Sequence, residues 1–174
     1  MNNIEKIRSM IRDIPDFPKK GILFKDITTA IKDAETLKLI VDEMHNAFKE
    51  EKIDYIVGLE SRGFIFGVPL AYKFNCGFVP IRKPNKLPAE TISQEYELEY
   101  GTDKIEIHKD ALKKADRVLI VDDLLATGGT AAAAFKLVEQ LATPVGACFL
   151  IELSDLKGKE KLPKESKIVS LIKY

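Results

Sequence analysis

The chain has 174 residues, the length of one ordinary domain. Its 27 Lys and Arg residues balance its 27 Asp and Glu residues, so the net charge is zero. A net charge of zero argues against nonspecific nucleic-acid binding, because such binding needs a strongly positive protein surface. The N-terminal segment lacks the apolar run of a signal peptide, and no stretch approaches the ~18 apolar residues of a membrane span. We therefore expect a single-domain cytoplasmic protein.

The N-terminal segment predicts a helix, an irregular stretch and a second helix. Four isoleucines recur at helical spacing: Ile4, Ile7, Ile11 and Ile14. They predict an amphipathic helix that ends before Pro15. Residues 15–28 contain Pro15, Pro18 and Gly21 and predict irregular backbone. Asp33 is a suitable N-cap for the next helix. That helix carries apolar residues on one face: Leu37, Ile40, Val41, Met44 and Phe48.

From residue 53 onward, apolar β-branched runs alternate with helical patterns. The predicted strands are 53–59, 78–82, 117–123, 145–153 and 167–174, the last of them at a sheet edge. The predicted helices are 63–74 and an alanine-rich segment that ends at Leu141. This alternation predicts an α/β fold whose central, mostly parallel sheet is flanked by helices.

Residues 83–110 form one long polar insertion in this pattern. Their alternation on either side of Gly101 predicts a hairpin-like excursion. Long excursions in compact domains are often functional lids. Arg82, Lys83 and Lys86 place cations at its start, so the segment is a candidate lid over an anionic ligand.

The most informative segment is VLIVDDLLATGGT, residues 118–130. An apolar strand leads into a turn that opens a helix, and a helix N-terminus offers unpaired N–H groups and a positive dipole end. Gly128 and Gly129 let the backbone approach an anion, and Thr127 and Thr130 add hydroxyl donors. The loop from Ala126 to Thr130 therefore predicts a phosphate cradle.

Asp122 and Asp123 stand directly before this cradle and would repel a phosphate. Carboxylates in this place suit sugar hydroxyls or a hydrated Mg²⁺ ion. A cradle beside a diol acceptor predicts a phosphorylated ribose as ligand. The chain has neither the G-x-x-x-x-G-K-[ST] motif nor the G-x-G-x-x-G motif, which disfavours a Walker-type triphosphatase or a dinucleotide-binding protein.

A second strand-to-helix turn, GLESRGFIFG, occupies residues 58–67. Its Arg62 can donate several hydrogen bonds to a diphosphate. Taken alone, an arginine at a helix start is usually just solvated. Beside a phosphate cradle, it favours a substrate that carries phosphates at both ends of a ribose.

Segment 118–130 resembles the phosphoribosyl-pyrophosphate signature of the type I phosphoribosyltransferases. Five further segments resemble the adenine phosphoribosyltransferases: DFPKKGILFKDIT (16–28), GLESRGFIFG (58–67), RKPNKLP (82–88), YELEYG (96–101) and KIEIHKDAL (104–112). The resemblance implies the type I fold, with a small N-terminal hood at about 1–33 and a flexible lid at about 83–110. It also implies transfer of a phosphoribosyl group to N9 of adenine, giving AMP and pyrophosphate, with Mg²⁺ held mainly by substrate and water.

The resemblance also implies roles for individual residues. The 5′-phosphate loop would be Ala126, Thr127, Gly128, Gly129 and Thr130. The pyrophosphate site would comprise Glu60, Ser61, Arg62, Arg82, Lys83 and Lys86. The catalytic set would be Glu99, Asp122 and Asp123. Adenine would contact Leu23, Phe24 and Lys25, where some members have arginine in place of Lys25. An unusual peptide is expected near Glu60–Ser61, and a homodimer in which Arg82 and Tyr100 reach across the interface.

Two alternatives stay open at this stage. One is a phosphoribosyltransferase that takes a 6-oxopurine. The other is a non-catalytic regulator with the same fold, although the chain has no room for an added DNA-binding domain and its balanced charge argues against a basic RNA-binding face.

Overall fold

The computed structural model describes residues 2–98 and 100–174. Within it the chain forms two compact units, Met1–Glu43 and Met44–Tyr174. In the described part, no helix has both the length and the apolar character needed to cross a membrane. The expected single domain and cytoplasmic location stay predictions.

The first unit contains a short helix, a two-stranded hairpin and the start of a longer helix. Its elements are α1 (Asn3–Ser9), β1 (Arg12–Pro15), β2 (Leu23–Asp26), α2 (Thr28–Ile31) and α3 (Ala34–Phe48), of which α3 continues into the second unit. Helix α1 begins with a capping box, in which Asn2 and Glu5 each bond the other's backbone N–H. The Asp33 carboxylate accepts from the Thr36 N–H at 2.8 Å, which confirms the predicted cap of α3.

The predicted N-terminal helix is longer than the one observed. The prediction of irregular backbone over residues 15–28 is also partly wrong, because this stretch contains a strand. The helix ends at Ser9, and residues Arg12–Pro15 pair antiparallel with Leu23–Asp26. Isoleucine is a strong strand former, and Ile14 lies opposite Phe24, so backbone pairing with β2 overrode its helical spacing. Ile11 lies in the bend between α1 and β1. The two strands are joined through a turn that includes the cis Phe17–Pro18 peptide.

The second unit is built on a five-stranded parallel sheet with the order β4-β3-β7-β8-β9. Its elements in chain order are β3 (Tyr55–Leu59), α4 (Arg62–Phe74), β4 (Gly77–Ile81), β5 (Thr91–Glu97), β6 (Thr102–His108), β7 (Arg117–Leu125), α5 (Gly129–Glu139), β8 (Thr143–Glu152) and β9 (Lys167–Lys173). Two short 3₁₀ helices, Ser154–Leu156 and Gly158–Lys161, lie between β8 and β9. The α/β prediction and the edge position of the last strand are confirmed.

Strand β7 lies in the middle of this sheet and is buried along most of its length. Its apolar side chains join a core that also takes Phe135 from α5 and Phe149 from β8. The strand continues to Leu125, two residues beyond the predicted end, because Leu124 and Leu125 still pair with β8. The sheet therefore carries Asp122 and Asp123 inside the strand rather than in a loop.

The polar insertion contains the predicted hairpin, in which β5 and β6 pair antiparallel. Ile105 and Ile107 of β6 are buried and belong to the core of the second unit. Tyr96 and Ile92 of β5 pack against the same core. Most of the hairpin is thus a fixed part of the fold, and its exposed apolar residues are at the turn.

Candidate active site

A cavity of about 190 Å³ opens at the carboxyl end of β7. Its lining is continuous along the chain from Asp122 to Ala131, with Arg62 added from α4. The five residues of the predicted phosphate loop and both predicted acids therefore line one cavity. This edge of a parallel sheet is where α/β folds usually place ligands.

The loop of this cavity turns directly into helix α5. Gly128 has φ 82°, a left-handed conformation that a glycine adopts without a Cβ penalty. Its carbonyl oxygen accepts from the Ala132 N–H at 2.9 Å and starts the helix. The N–H groups of the first turn thus lie at the cavity wall, where they can bind an anion.

The two acids sit at different depths beside this loop. Asp123 is only 5% exposed, whereas Asp122 is partly exposed. The Asp122 Oδ1 atom accepts from the Asp123 N–H at 2.8 Å. Burial and the neighbouring Asp123 charge raise the pKa of Asp122 well above its usual range. Burial also raises the pKa of Asp123, although the nearby Arg62 opposes it. The acid pair is therefore suited to a ligand that supplies hydroxyl donors or positive charge.

Helix α4 brings Arg62 to the same place. Its Nε lies 3.0 Å from the Asp123 Oδ2. The approach depends on Gly63, because a Cβ at this residue would lie 2.8 Å from the Val121 carbonyl oxygen and 3.1 Å from the Asp122 Oδ1. The sequence analysis assigned no role to Gly63, although a glycine directly after a helix-start arginine was a usable signal of close packing.

The turn between β3 and α4 is hydrogen-bonded to the end of β4, where the Glu60 N–H donates to the Ile81 carbonyl at 2.9 Å. The Glu60–Ser61 peptide is cis, which confirms the expectation of an unusual peptide at this position. The Glu60 Oε2 accepts from Arg82 Nε at 3.0 Å and from the Lys83 N–H at 2.8 Å. Glu60 thereby fixes the two cations that follow β4.

Lys83 is bound by the hairpin. Its Nζ forms an ion pair with Asp103 and donates to the Tyr96 hydroxyl at 2.8 Å. The Tyr96 hydroxyl in turn lies 3.0 Å from the Asp103 carboxylate. Burial lowers the pKa of Lys83, but the bonds to Asp103 and Tyr96 outweigh it and raise the pKa overall. The Lys83 bond is also the main reason that the pKa of Asp103 is lowered.

The sequence analysis missed Tyr96 and Asp103 as partners of Lys83. They stand directly opposite each other in the hairpin register. Counting outward from the turn at Gly101 would have paired them, since opposite residues of a hairpin share a face. Nothing local in the sequence indicated that Lys83 would reach that face.

Comparisons with known proteins agree with this geometry. A family model described as the phosphoribosyl transferase domain matches residues 28–173. The adenine phosphoribosyltransferase of Acaryochloris marina is 57% identical over 169 residues, which cover 97% of this chain and 99% of the relative. This chain belongs to the adenine phosphoribosyltransferase family.

Two solved structures of adenine phosphoribosyltransferases show the same fold. The enzyme from Thermoanaerobacter pseudethanolicus has a TM-score of 0.95 at 56% identity, covering 98% of this chain and 99% of that one. The enzyme from Saccharomyces cerevisiae, solved with an imino-altritol bisphosphate and adenine, has a TM-score of 0.92 at 44% identity, and 98% of each chain is covered. The predicted family and the type I phosphoribosyltransferase fold are confirmed.

Of the remaining residues that the resemblance assigned, those that the structure describes do not line this cavity. Lys86 is exposed, and its carbonyl oxygen accepts from Arg82 Nη1 at 3.4 Å. Tyr100 is 86% exposed near the hairpin turn. Glu99, the predicted catalytic acid of the lid, falls outside the described residues. Ser61 directly precedes helix α4.

The predicted adenine contacts of this phosphoribosyltransferase lie on β2, in the first unit. Leu23 is half exposed, and the Phe24 ring packs edge-on against Phe17 with the ring centroids 5.1 Å apart. The Lys25 Nζ lies 2.7 Å from the Asp13 Oδ1. Their assignment to adenine, like the other residue roles, stays a prediction.

Proposed function

We propose that this protein transfers the 5-phosphoribosyl group of phosphoribosyl pyrophosphate to N9 of adenine, releasing pyrophosphate and AMP. The observation that carries the proposal is the cavity at the end of β7, where an anion-binding helix start adjoins a pair of acids. Membership of the adenine phosphoribosyltransferase family supports adenine as the base. The adenine-bound yeast relative supports it further.

The phosphoribosyl end of the substrate would bind along the cavity wall. The first-turn N–H groups of α5 and the hydroxyls of Thr127 and Thr130 would hold the 5′-phosphate. Asp122 and Asp123 would accept hydrogen bonds from the ribose hydroxyls. Because both acids are disfavoured as ions in this buried setting, bonds donated by the sugar offset part of that cost.

The leaving group would lie toward Arg62, Arg82 and Lys83. Glu60 holds Arg82 through its Nε, so the terminal guanidinium nitrogens are the groups that would bind pyrophosphate. The C1′–O bond breaks with its electron pair on pyrophosphate, while N9 of adenine forms the new bond to C1′. The N9 proton of adenine is lost in this step, and the lid carboxylate Glu99 is proposed as the base that takes it. Positioning and charge stabilisation are the protein's contribution to such a step.

A magnesium ion is proposed to bind at this site together with the substrate, which supplies most of its ligands. Among residues 2–98 and 100–174, no group of three or more His, Cys, Asp or Glu side chains could hold a metal. Because Asp122 and Asp123 are proposed to bind the ribose hydroxyls, Mg²⁺ would be held mainly by the substrate and by water, with no direct protein ligand. When bound, Mg²⁺ would neutralise charge on the leaving pyrophosphate.

A homodimer is part of the proposal. Val68 and Tyr72 lie one turn apart on α4 and are 51% and 89% exposed. Large exposed apolar side chains at this spacing favour a protein partner. In a dimer, Tyr100 is proposed to reach the neighbouring site.

The test is a competition among bases. The protein is incubated with phosphoribosyl pyrophosphate, Mg²⁺ and equal amounts of adenine, hypoxanthine, guanine and xanthine, and the nucleotides are identified by mass. We expect AMP alone. IMP, GMP or XMP in its place would instead establish a 6-oxopurine enzyme, and tight substrate binding without any nucleotide would establish a regulator. Asp122→Ala should abolish product, whereas Glu165→Ala, at an exposed acid outside the cavity and outside residues 154–161, should not.

A further inference from the structure

The phosphate loop rests on the backbone of a second segment, around Gly158. A Cβ placed on Gly158 would overlap the carbonyl oxygen of Ala126 and lie 2.9 Å from the Gly128 nitrogen. A Cβ placed on Gly128 would overlap the carbonyl oxygen of Gly158. The contact is backbone on backbone in both directions, so no side-chain rotation can relieve an added methyl group.

The Gly158 segment is held at both ends by contacts that do not involve the loop residues 126–130. The Leu153 N–H donates to the Leu125 carbonyl at 3.0 Å, and the Ser154 N–H donates to the Tyr174 carbonyl at 2.8 Å. At its other end, Leu162 is buried in the core of the second unit. The two 3₁₀ turns between these anchors close with backbone bonds of their own. The segment is therefore a fixed surface against which the loop lies.

We propose that Gly158 is a positioning residue for the 5′-phosphate loop, a role that rests on the function proposed above. By leaving room for the Ala126–Gly128 backbone, it sets the direction of the N–H groups at the start of α5. Anion binding by N–H groups depends on their alignment, because hydrogen bonds weaken steeply away from linearity. Gly158 would thus control affinity for the phosphate end of the substrate without contacting it.

The first test replaces Gly158 by alanine and uses Gly146→Ala as the matched control. A Cβ on Gly146 would overlap the Lys167 carbonyl oxygen between β8 and β9, which is the same kind of clash away from the cavity. Both variants are expected to lower Tm. Only Gly158→Ala is expected to raise the KM for phosphoribosyl pyrophosphate and the Kd for ribose 5-phosphate, by about tenfold to a hundredfold. Its Kd for pyrophosphate should stay within about twofold.

Equal loss of Tm in the two variants, with unchanged ribose 5-phosphate affinity in Gly158→Ala, would overturn the positioning role. Should that variant fail to fold, hydrogen exchange of the unmodified protein decides the question. Ribose 5-phosphate is expected to slow exchange in residues 154–161 together with 126–132. Slowing confined to 126–132 would refute the coupling. If the unmodified protein binds no ribose 5-phosphate at all, the proposed function fails instead, so the two failures are separable.

Discussion

A pair of neighbouring carboxylates in a partly buried strand end is electrostatically costly when no ligand is bound. Burial disfavours the ionised form of both Asp122 and Asp123 and raises the pKa of each. The charge of Asp123 raises the pKa of Asp122 further. The Arg62 guanidinium offsets part of it from one side. Such a site trades stability of the free protein for ligand affinity, which is a common feature of functional sites.

Replacing Asp122 by asparagine should therefore stabilise the protein while destroying the site. The folded-state pKa of Asp122 is raised, so the folded protein holds this proton more tightly than the unfolded chain, and stability falls as pH rises through that window. Asparagine removes the penalty and keeps an oxygen for the Asp123 N–H. We expect a Tm several degrees higher than that of the parent at neutral pH and loss of ribose 5-phosphate binding.

Thermal unfolding at two pH values checks this expectation. The Tm difference should shrink at about pH 4, where Asp122 is protonated in the parent protein as well. Glu165→Gln, at an exposed acid outside the cavity, serves as the control and should leave Tm unchanged at both values. A parent that is more stable than Asp122→Asn at neutral pH would contradict the argument.

Glu60 acts on the site through other residues. Its single oxygen Oε2 receives both Arg82 Nε and the Lys83 N–H. Glu60→Ala should raise the KM for pyrophosphate in the reverse reaction about tenfold, because one charge-assisted bond is worth about 1.5–3 kcal/mol. Glu60→Gln keeps a hydrogen-bond acceptor and should raise this KM less than Glu60→Ala does. Glu90→Ala is the control, since Glu90 pairs with Lys109 at the surface. Equal effects of all three changes would refute a positioning role.

At the scale of elements, the hairpin is divided between a buried base and an exposed turn. Ile107 on β6 is fully buried, whereas Leu98 before the turn is 49% exposed. The Leu98 N–H donates to the Gly101 carbonyl at 2.9 Å and closes the turn. If the hairpin closes over substrate as a lid, the movement must be confined to residues near this turn.

Two alanine substitutions in the hairpin should consequently lower the free energy of unfolding by different amounts. Ile107→Ala should lower the free energy of unfolding by about 2–5 kcal/mol, the usual range for a buried isoleucine. Leu98→Ala should change it by no more than about 0.5 kcal/mol. Urea denaturation measures both. A small loss for Ile107→Ala would mean that the whole hairpin, and not only its turn, is detached from the core.

At the scale of the whole molecule, the exposed face of α4, which carries Val68 and Tyr72, is a candidate surface for the proposed homodimer. A charge at Tyr72 would be buried without a partner in a dimer packed on this face, and such burial is strongly unfavourable. Tyr72→Glu should therefore shift the protein to monomers, as measured by sedimentation. Leu156→Glu introduces the same charge at another exposed apolar residue and should leave the oligomeric state unchanged. A dimer that survives Tyr72→Glu would place the interface elsewhere.

The sequence predicted well those features that depend on neighbouring residues. The Asp33 cap, the buried strand before Asp122, the hairpin about Gly101 and the loop before α5 are all set by periodicity, capping or turn chemistry within a few positions. The predicted N-terminal helix failed beyond Ser9 because the spacing of Ile14 fitted a strand as well, and only pairing with β2 decided between them.

The proposed type of ligand and the loop proposed to bind it thus follow from the sequence alone, through residues adjacent along the chain. The tertiary structure decided which distant groups meet there: Arg62 with Asp123, Lys83 with Asp103, and Gly158 with Ala126. Such pairs are separated by 20 or more positions, and no local preference acts over that distance. Their contact follows from strand order and register in the folded chain, which place the ends of β3, β4, β7 and β8 side by side.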